Sequence, residues 1–163
     1  IFNSLKFSLL STALMTARSD EDIKKWFIMQ ALECSKEHPV TVDEIDMMKN
    51  HKIPNHLNAK CLVACLFKKV DWIDDKGMFN DKNAYKMSEK EYPGDQARLD
   101  NAKKLYETCM KVNEVSVPTD DKEGCERAAL LATCLTEHAP KVSYPNSYVT
   151  RNQTKNKVIP PRI

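Results

Sequence analysis

At 163 residues the chain is long enough for one domain with a substantial buried core. Only 3 residues are glycine, too few for the tight turns of an all-β fold, whose central positions favour positive φ. Charged residues make up 29%, interleaved to a net charge of +2, which gives a solvated surface and excludes a concentrated basic stripe for nucleic acid.

The chain opens with Lys6 as the only charge of its first stretch, an apolar run from Phe7 and small residues up to Ala17. That order is the order of a secretory signal peptide, which the sequence places at 1–19 with cleavage near Ala17 or Ser19. The absence of an initiator Met reads as a leader shortened at its start. The run is too short to span a bilayer, so no stable membrane insertion is expected. The competing assignment is an amphipathic first helix of the mature domain.

Six helices are predicted between prolines at 39, 54, 93 and 118, since proline tends to start or stop helices. The first runs from about Asp20 to Cys34, with Ile23, Phe27, Ala31 and Cys34 close to one face. Thr41 and Glu44 form a capping box that opens the second, which carries Ile45, Met47 and Met48. The third follows Pro54 and holds Cys61, Leu62, Cys65, Leu66 and Val70. A turn at Asp74–Gly77 comes next, glycine relieving the backbone. The fourth, from about Asn80 to Lys90, is weak and mostly polar. The fifth, from about Asp95 to Val112, places Leu99, Ala102, Leu105, Tyr106, Cys109 and Met110 on an apolar side. The sixth is expected from Asp120-Asp121, whose carboxylates suit a helix N-terminus, to about Glu137. The helical domain is therefore expected at 20–138, and the proline-rich segment 139–163 is a tail unsuited to a long helix.

Six cysteines stand at positions 34, 61, 65, 109, 125 and 134. An even count in an exported chain implies a disulfide framework, for which six cysteines allow 15 pairings. Cys61 and Cys65 lie four residues apart and share a helix face, so one helix can be joined to two partners along one side. Cys125 and Cys134 are nine apart, on opposite sides of their helix at about 100° per residue. A domain of this length does not need three bridges for want of core. A covalently held shell can instead tolerate a hollow apolar interior that would otherwise cost stability as a cavity.

The cysteine pattern C-x26-C-x3-C-x43-C-x15-C-x8-C, the leader and the all-helical reading together resemble the insect pheromone-binding and general odorant-binding proteins. The segment from Cys65 through Asp71-Trp-Ile-Asp-Asp-Lys-Gly77 to Asn80 is similar to the stretch that this family carries after its third cysteine. The resemblance covers about Asp20 to Glu137. It implies interlocked pairing: Cys34–Cys65, Cys61–Cys125 and Cys109–Cys134. It also implies an all-α fold of about six helices around an internal apolar cavity, a secreted carrier of odorants or pheromones (in sensillum lymph, if olfactory), and delivery to an olfactory receptor, as monomer or homodimer. Two features depart from the family pattern: a longer loop between Cys109 and Cys125, and a long proline-rich segment after Cys134.

With a carrier in view, Phe27, Leu62, Leu66, Phe67, Trp72, Ile73, Phe79, Tyr106, Met110, Leu131 and Leu135 form the candidate ligand lining, against the alternative that they are ordinary core. Tyr85, Tyr106 and Tyr148 are candidate polar anchors. Asn152 opens a glycosylation sequon with Thr154. No enzyme, cofactor or metal is called for. His51, His56 and Cys61 are near in sequence but do not make an established zinc pattern, and no G-x-S-x-G elbow, HExxH or phosphate loop occurs. His38, His51, His56 and His138 read as solvated surface residues. Other functions compatible with the pattern are a carrier of saliva, seminal fluid or haemolymph, a disulfide-stapled signalling protein with a solid core, and a secreted hydrolase, which would need a free thiol or a clustered His/Asp site.

Overall fold

The computed structural model describes residues 19–118, 121 and 123–139. Among these residues six α-helices follow in order: α1 (Asp20–Cys34), α2 (Val42–Lys49), α3 (Leu57–Lys69), α4 (Asp81–Glu91), α5 (Gln96–Cys109) and α6 (Cys125–His138). Among the described residues there is no strand, only an isolated antiparallel bridge between Ile73 and Phe79. The architecture is all-α. The leader at 1–19 lies outside the described residues except for Ser19, and the tail at 139–163 except for Ala139. Tyr148 and Asn152 lie outside them as well.

An N-cap side chain starts four of the helices, α1, α2, α4 and α5. The Ser19 hydroxyl accepts the Asp22 amide at 3.1 Å, ahead of an acidic first turn that suits the positive end of the helix dipole. At α2 the predicted capping box is complete: the Thr41 amide donates to Glu44 at 2.7 Å and the Glu44 amide to Thr41 Oγ1 at 3.2 Å. Asn80 and Asp95 cap α4 and α5 in the same way.

Two boundaries differ from expectation. The fifth helix was expected to reach Val112, but α5 ends at Cys109 and the chain tightens into a 3-10 turn over Met110–Glu114. Such tightening is a common way for a helix end to satisfy its last carbonyls; here the Val112 carbonyl also accepts from the buried Arg127 guanidinium. The sixth helix was expected from Asp120-Asp121 but begins at Cys125. The Asp121 carboxylate still caps it from outside, accepting the amides of Cys125 at 2.6 Å and Glu126 at 3.2 Å.

Three disulfides join these elements: Cys34–Cys65 (α1 to α3), Cys61–Cys125 (α3 to α6) and Cys109–Cys134 (α5 to α6). Cys61 and Cys65 point one turn apart along α3, so α3 is tied to both α6 and α1. The most extensive packing is α3 on α6, followed by α4 on α5 and α1 on α3. The 74–78 turn locks onto the start of α6 through two glycines. Gly77 and Gly124 both have positive φ, 74° and 72°, and a Cβ on Gly77 would come within 2.8 Å of the Gly124 Cα. Only glycine at both positions allows that backbone approach.

The space among α3, α5 and α6 is filled. Ala64, Phe67, Phe79, Tyr106, Val112, Ala128 and Leu131 belong to one buried cluster there, with Leu131 fully enclosed. Asn113 closes its edge, donating to the Phe79 carbonyl and accepting the Phe79 amide, both at 2.9 Å. A cleft lies on the other side of α5, towards α1 and α4, and a shallow groove of about 390 Å³ lies outside this cluster at the starts of α3 and α6, beside Leu57, Pro118 and Glu126.

Candidate functional site: a cleft between the first, fourth and fifth helices

A cleft of about 130 Å³ opens between α1, α4, α5 and the Trp72 segment. Each wall follows from local sequence. The inner face of α1, set by its three-to-four-residue apolar spacing, supplies Ile23 and Phe27. From α5 come Ala102, Leu105 and Tyr106, and from α4 Met87, Ser88 and Glu91. Trp72 enters from the loop after α3, where its amide donates to the Phe67 carbonyl at 2.8 Å and its ring stacks on Phe67 with centroids 5.6 Å apart.

Tyr106 is held on several sides. Its ring meets Trp72 edge-to-face at 5.6 Å and Phe79 at 6.2 Å, geometries favoured by the ring quadrupole. Its hydroxyl lies 2.9 Å from Ser88 Oγ, and Ser88 Oγ donates to the Ala84 carbonyl at 3.3 Å. With the serine proton used there, the tyrosine O–H donates to the serine oxygen. One end of the cleft is charged: Arg98 lies over the Tyr92 ring at 4.7 Å and pairs with Asp20 Oδ1 at 3.0 Å, tying the start of α1 to α5. The Trp72 indole nitrogen is buried with no hydrogen-bond partner, a donor in the cleft's own wall.

A second depression, about 450 Å³, runs along the outer side of α4 and α5. Tyr85 and Tyr106 supply its rings, while Asp81, Glu89 and Glu107 face Lys82, Lys86 and Lys103 around it. Acid and base balance, so it offers no net field for an ion. Tyr106 alone belongs to both this groove and the inner cleft. A third groove, about 320 Å³, lies between Trp26, the Val70-Asp71 turn and α4.

Of the residues expected to line a ligand site, Phe27, Trp72 and Tyr106 are brought together at the cleft. The others lie elsewhere. Leu62, Phe67, Ile73, Phe79 and Leu131 are buried in the core; Met110 and Leu135 pack against it; Leu66 is half-buried on α3. They form the packed side of the molecule because their helices are cross-linked there. Tyr85 faces the outer groove. Sequence reasoning missed Met87, Ser88, Glu91, Tyr92 and Arg98. The fourth helix reads as polar, and the one available signal was the four-residue spacing of Met87 and Glu91.

The histidines correct the expectation of solvated residues in two cases. His38 is mostly buried beside Glu123, with 3.6 Å between them, and the His138 Nδ1 is buried without a partner. His56 is exposed and pairs with Glu44 at 3.0 Å. His38 and Glu123 also approach Cys61, but that sulfur is in a disulfide and has no thiolate to offer a metal. No free cysteine occurs, so no thiol nucleophile exists.

Comparison with known proteins converges on one group. The sequence model of the PBP/GOBP family matches residues 16–138. General odorant-binding protein 19d of Drosophila melanogaster is 25% identical over 134 residues, which covers 82% of this chain and 85% of that protein. General odorant-binding protein 28a of the same organism is 28% identical over 134 residues, 82% and 89% of the two chains. The solved structure of odorant-binding protein dmelOBP28a from Drosophila melanogaster superposes with a TM-score of 0.59 at 24% identity, covering 76% of this chain and 97% of that one; at that identity the likeness concerns the fold.

Proposed function

The chain belongs to the PBP/GOBP family, and from that membership together with the cleft we propose that it is a secreted carrier that reversibly binds small hydrophobic molecules, odorants or pheromones, and delivers them to a membrane receptor. The observation that carries the reading is the cleft between α1, α4 and α5: aromatic and aliphatic walls from Phe27, Trp72, Leu105 and Tyr106, with a few polar groups from Ser88 and Arg98 converging on it. That composition is the ordinary make-up of a small-molecule site. Nothing is made or broken in this function, and no cofactor takes part.

Affinity would come from removing ligand surface from water. Burying roughly 250 Å² of apolar surface at about 25 cal/mol per Å² yields on the order of 6 kcal/mol, a dissociation constant in the tens of micromolar. That strength suits a carrier that must also release.

The test is uptake of an apolar fluorescent probe such as N-phenyl-1-naphthylamine, followed by displacement with volatile alcohols and aldehydes. Saturable uptake is expected in the native protein, and Phe27→Arg, which places a charge on the cleft wall, abolishes it. Absence of saturable uptake by the folded native protein would sink the carrier reading. Uptake indifferent to Phe27→Arg would move the site elsewhere.

A further inference from the structure

Charge is divided unevenly along the chain. All 23 acidic residues fall between Asp20 and Glu137, within the helical domain. The segment 140–163 holds no acid and five bases, Lys141, Arg151, Lys155, Lys157 and Arg162. Of the 25 basic residues, these five follow the domain and two, Lys6 and Arg18, precede it, which leaves 18 against 23 acids inside it. The net charge of +2 therefore conceals an acidic body and a basic tail.

The grooves of the domain differ in the same respect. Among their described lining residues, acids and bases balance along α4 and α5, in the cleft (Glu91 with Arg98) and beside Trp26 (Asp71 and Glu91 with Lys86 and Lys90). The groove at the starts of α3 and α6 is lined by Asp121, Glu123 and Glu126, with no base among its described residues. Lys60 offsets one of these charges, pairing with Glu126 at 2.8 Å. Glu123 has His38 at 3.6 Å and keeps 61% of its side chain exposed. Beside the acids stand Pro118 and Leu57, the latter an exposed apolar side chain.

We propose that the segment 140–163 docks in this groove on its own domain, its lysines meeting Glu123 and Glu126 while Val158 and Ile159 cover Leu57. The inference stands apart from the carrier reading and involves neither the cleft nor a ligand. Reach permits it. The segment follows the C-terminal end of α6, and the groove lies at the opposite end, at Cys125 and Glu126. A helix of 14 residues is about 21 Å long, a distance that about seven extended residues span. Arg151, Lys155 and Lys157 all lie farther along the chain than that. Attachment also lowers the affinity required. A tethered segment has an effective concentration on the order of millimolar, so a contact of only about 1 mM fills the groove about half of the time. Exposed ion pairs, each weak, and one covered leucine are interactions of that scale. Docked there, the segment covers the Cys61–Cys125 bridge, whose residues line the same groove, and leaves the cleft on the α1–α4–α5 side unobstructed.

The test is zero-length carbodiimide cross-linking of the full chain at micromolar concentration, the joined peptides being identified by mass spectrometry. Lys155 or Lys157 is expected to join to Glu123 or Glu126 within one molecule. The yield should fall about fivefold in 0.5 M NaCl, because exposed charges are screened. Leu57→Ser leaves every charge and reactive group in place and changes an exposed side chain. It is expected to lower the yield about two- to fivefold through lost apolar contact, with circular dichroism confirming helix content. Links to Asp43 or Asp75 as frequent as those to Glu123 would overturn the docking. So would links formed only between molecules, which would assign the groove to a second copy, or a yield indifferent to both salt and Leu57→Ser.

Discussion

The two flanks of the molecule are built on different terms. On one, α3 and α6 bury Ala59, Cys61, Leu62, Val63, Ala64 and Phe67 against Cys125, Arg127, Ala128, Ala129, Leu131 and Ala132, with a disulfide and a glycine pair to hold them. On the other, α1 fully buries only Cys34 and α2 buries nothing. Ile28, Met29 and Leu32 on α1 and Val42, Ile45 and Met47 on α2 remain exposed. The cleft lies against the lightly held flank. A site that must open and close is drawn from elements with few buried contacts, because local opening there costs much less than global unfolding. The densely packed flank supplies the fixed wall.

The largest test of that division is covalent. Replacing Cys61 and Cys125 together by Ser frees a loop of separation 64 and is expected to cost about 4 kcal/mol by the chain-entropy relation, read by chemical denaturation. Removing Cys34–Cys65, separation 31, costs less than the roughly 3.7 kcal/mol of the same relation, because α1 can detach while α3 to α6 stay folded. Equal cooperative losses in both would break the comparison.

A single pair of leucines tests it next. Leu131→Ala removes a fully enclosed side chain and is expected to cost about 3 kcal/mol. Leu32→Ala, at a position 61% exposed, should change stability by no more than about 0.5 kcal/mol. A large loss at Leu32 in thermal unfolding would show that the outer face of α1 is covered in solution.

The smallest effect is local and depends on pH. The Glu44 carboxyl is held below the ordinary value of 4.5 chiefly by the Thr41 backbone amide, with the Thr41 hydroxyl and His56 adding to it against partial desolvation. A depressed folded value means that its contribution is full above the unfolded value and is lost as pH falls through the folded one. Amide-exchange protection at the start of α2 should therefore decline below about pH 4.5, and Glu44→Gln, which preserves a capping box, should remove that pH dependence. Unchanged protection in the native protein down to pH 3 would show that the box does not hold α2.

Much of the fold could be read directly from the residues. The capping box at Thr41 and Glu44, the helix of Cys61 and Cys65 and the inner face of α1 all follow from contacts within a few residues, where spacing specifies geometry. The start of α6 could not, because Asp121 acts from outside the helix across a turn whose course is set by Gly77 meeting Gly124. The cleft was the least legible part. Phe27, Trp72 and Tyr106 stood out as aromatic residues at the right faces, but so did Phe67, Phe79 and Leu131, which pack the core instead.

The sequence by itself determined that the protein is all-α, where its first four helices run, and that six cysteines would cross-link the elements. Helical periodicity and cysteine chemistry are local properties that any six-helix arrangement of this chain would share. Only the tertiary structure decided which apolar faces meet each other and which are left facing open space. Periodicity identifies a face without saying what lies opposite it. The polar helix α4, unpromising on its own, therefore became a wall of the cleft.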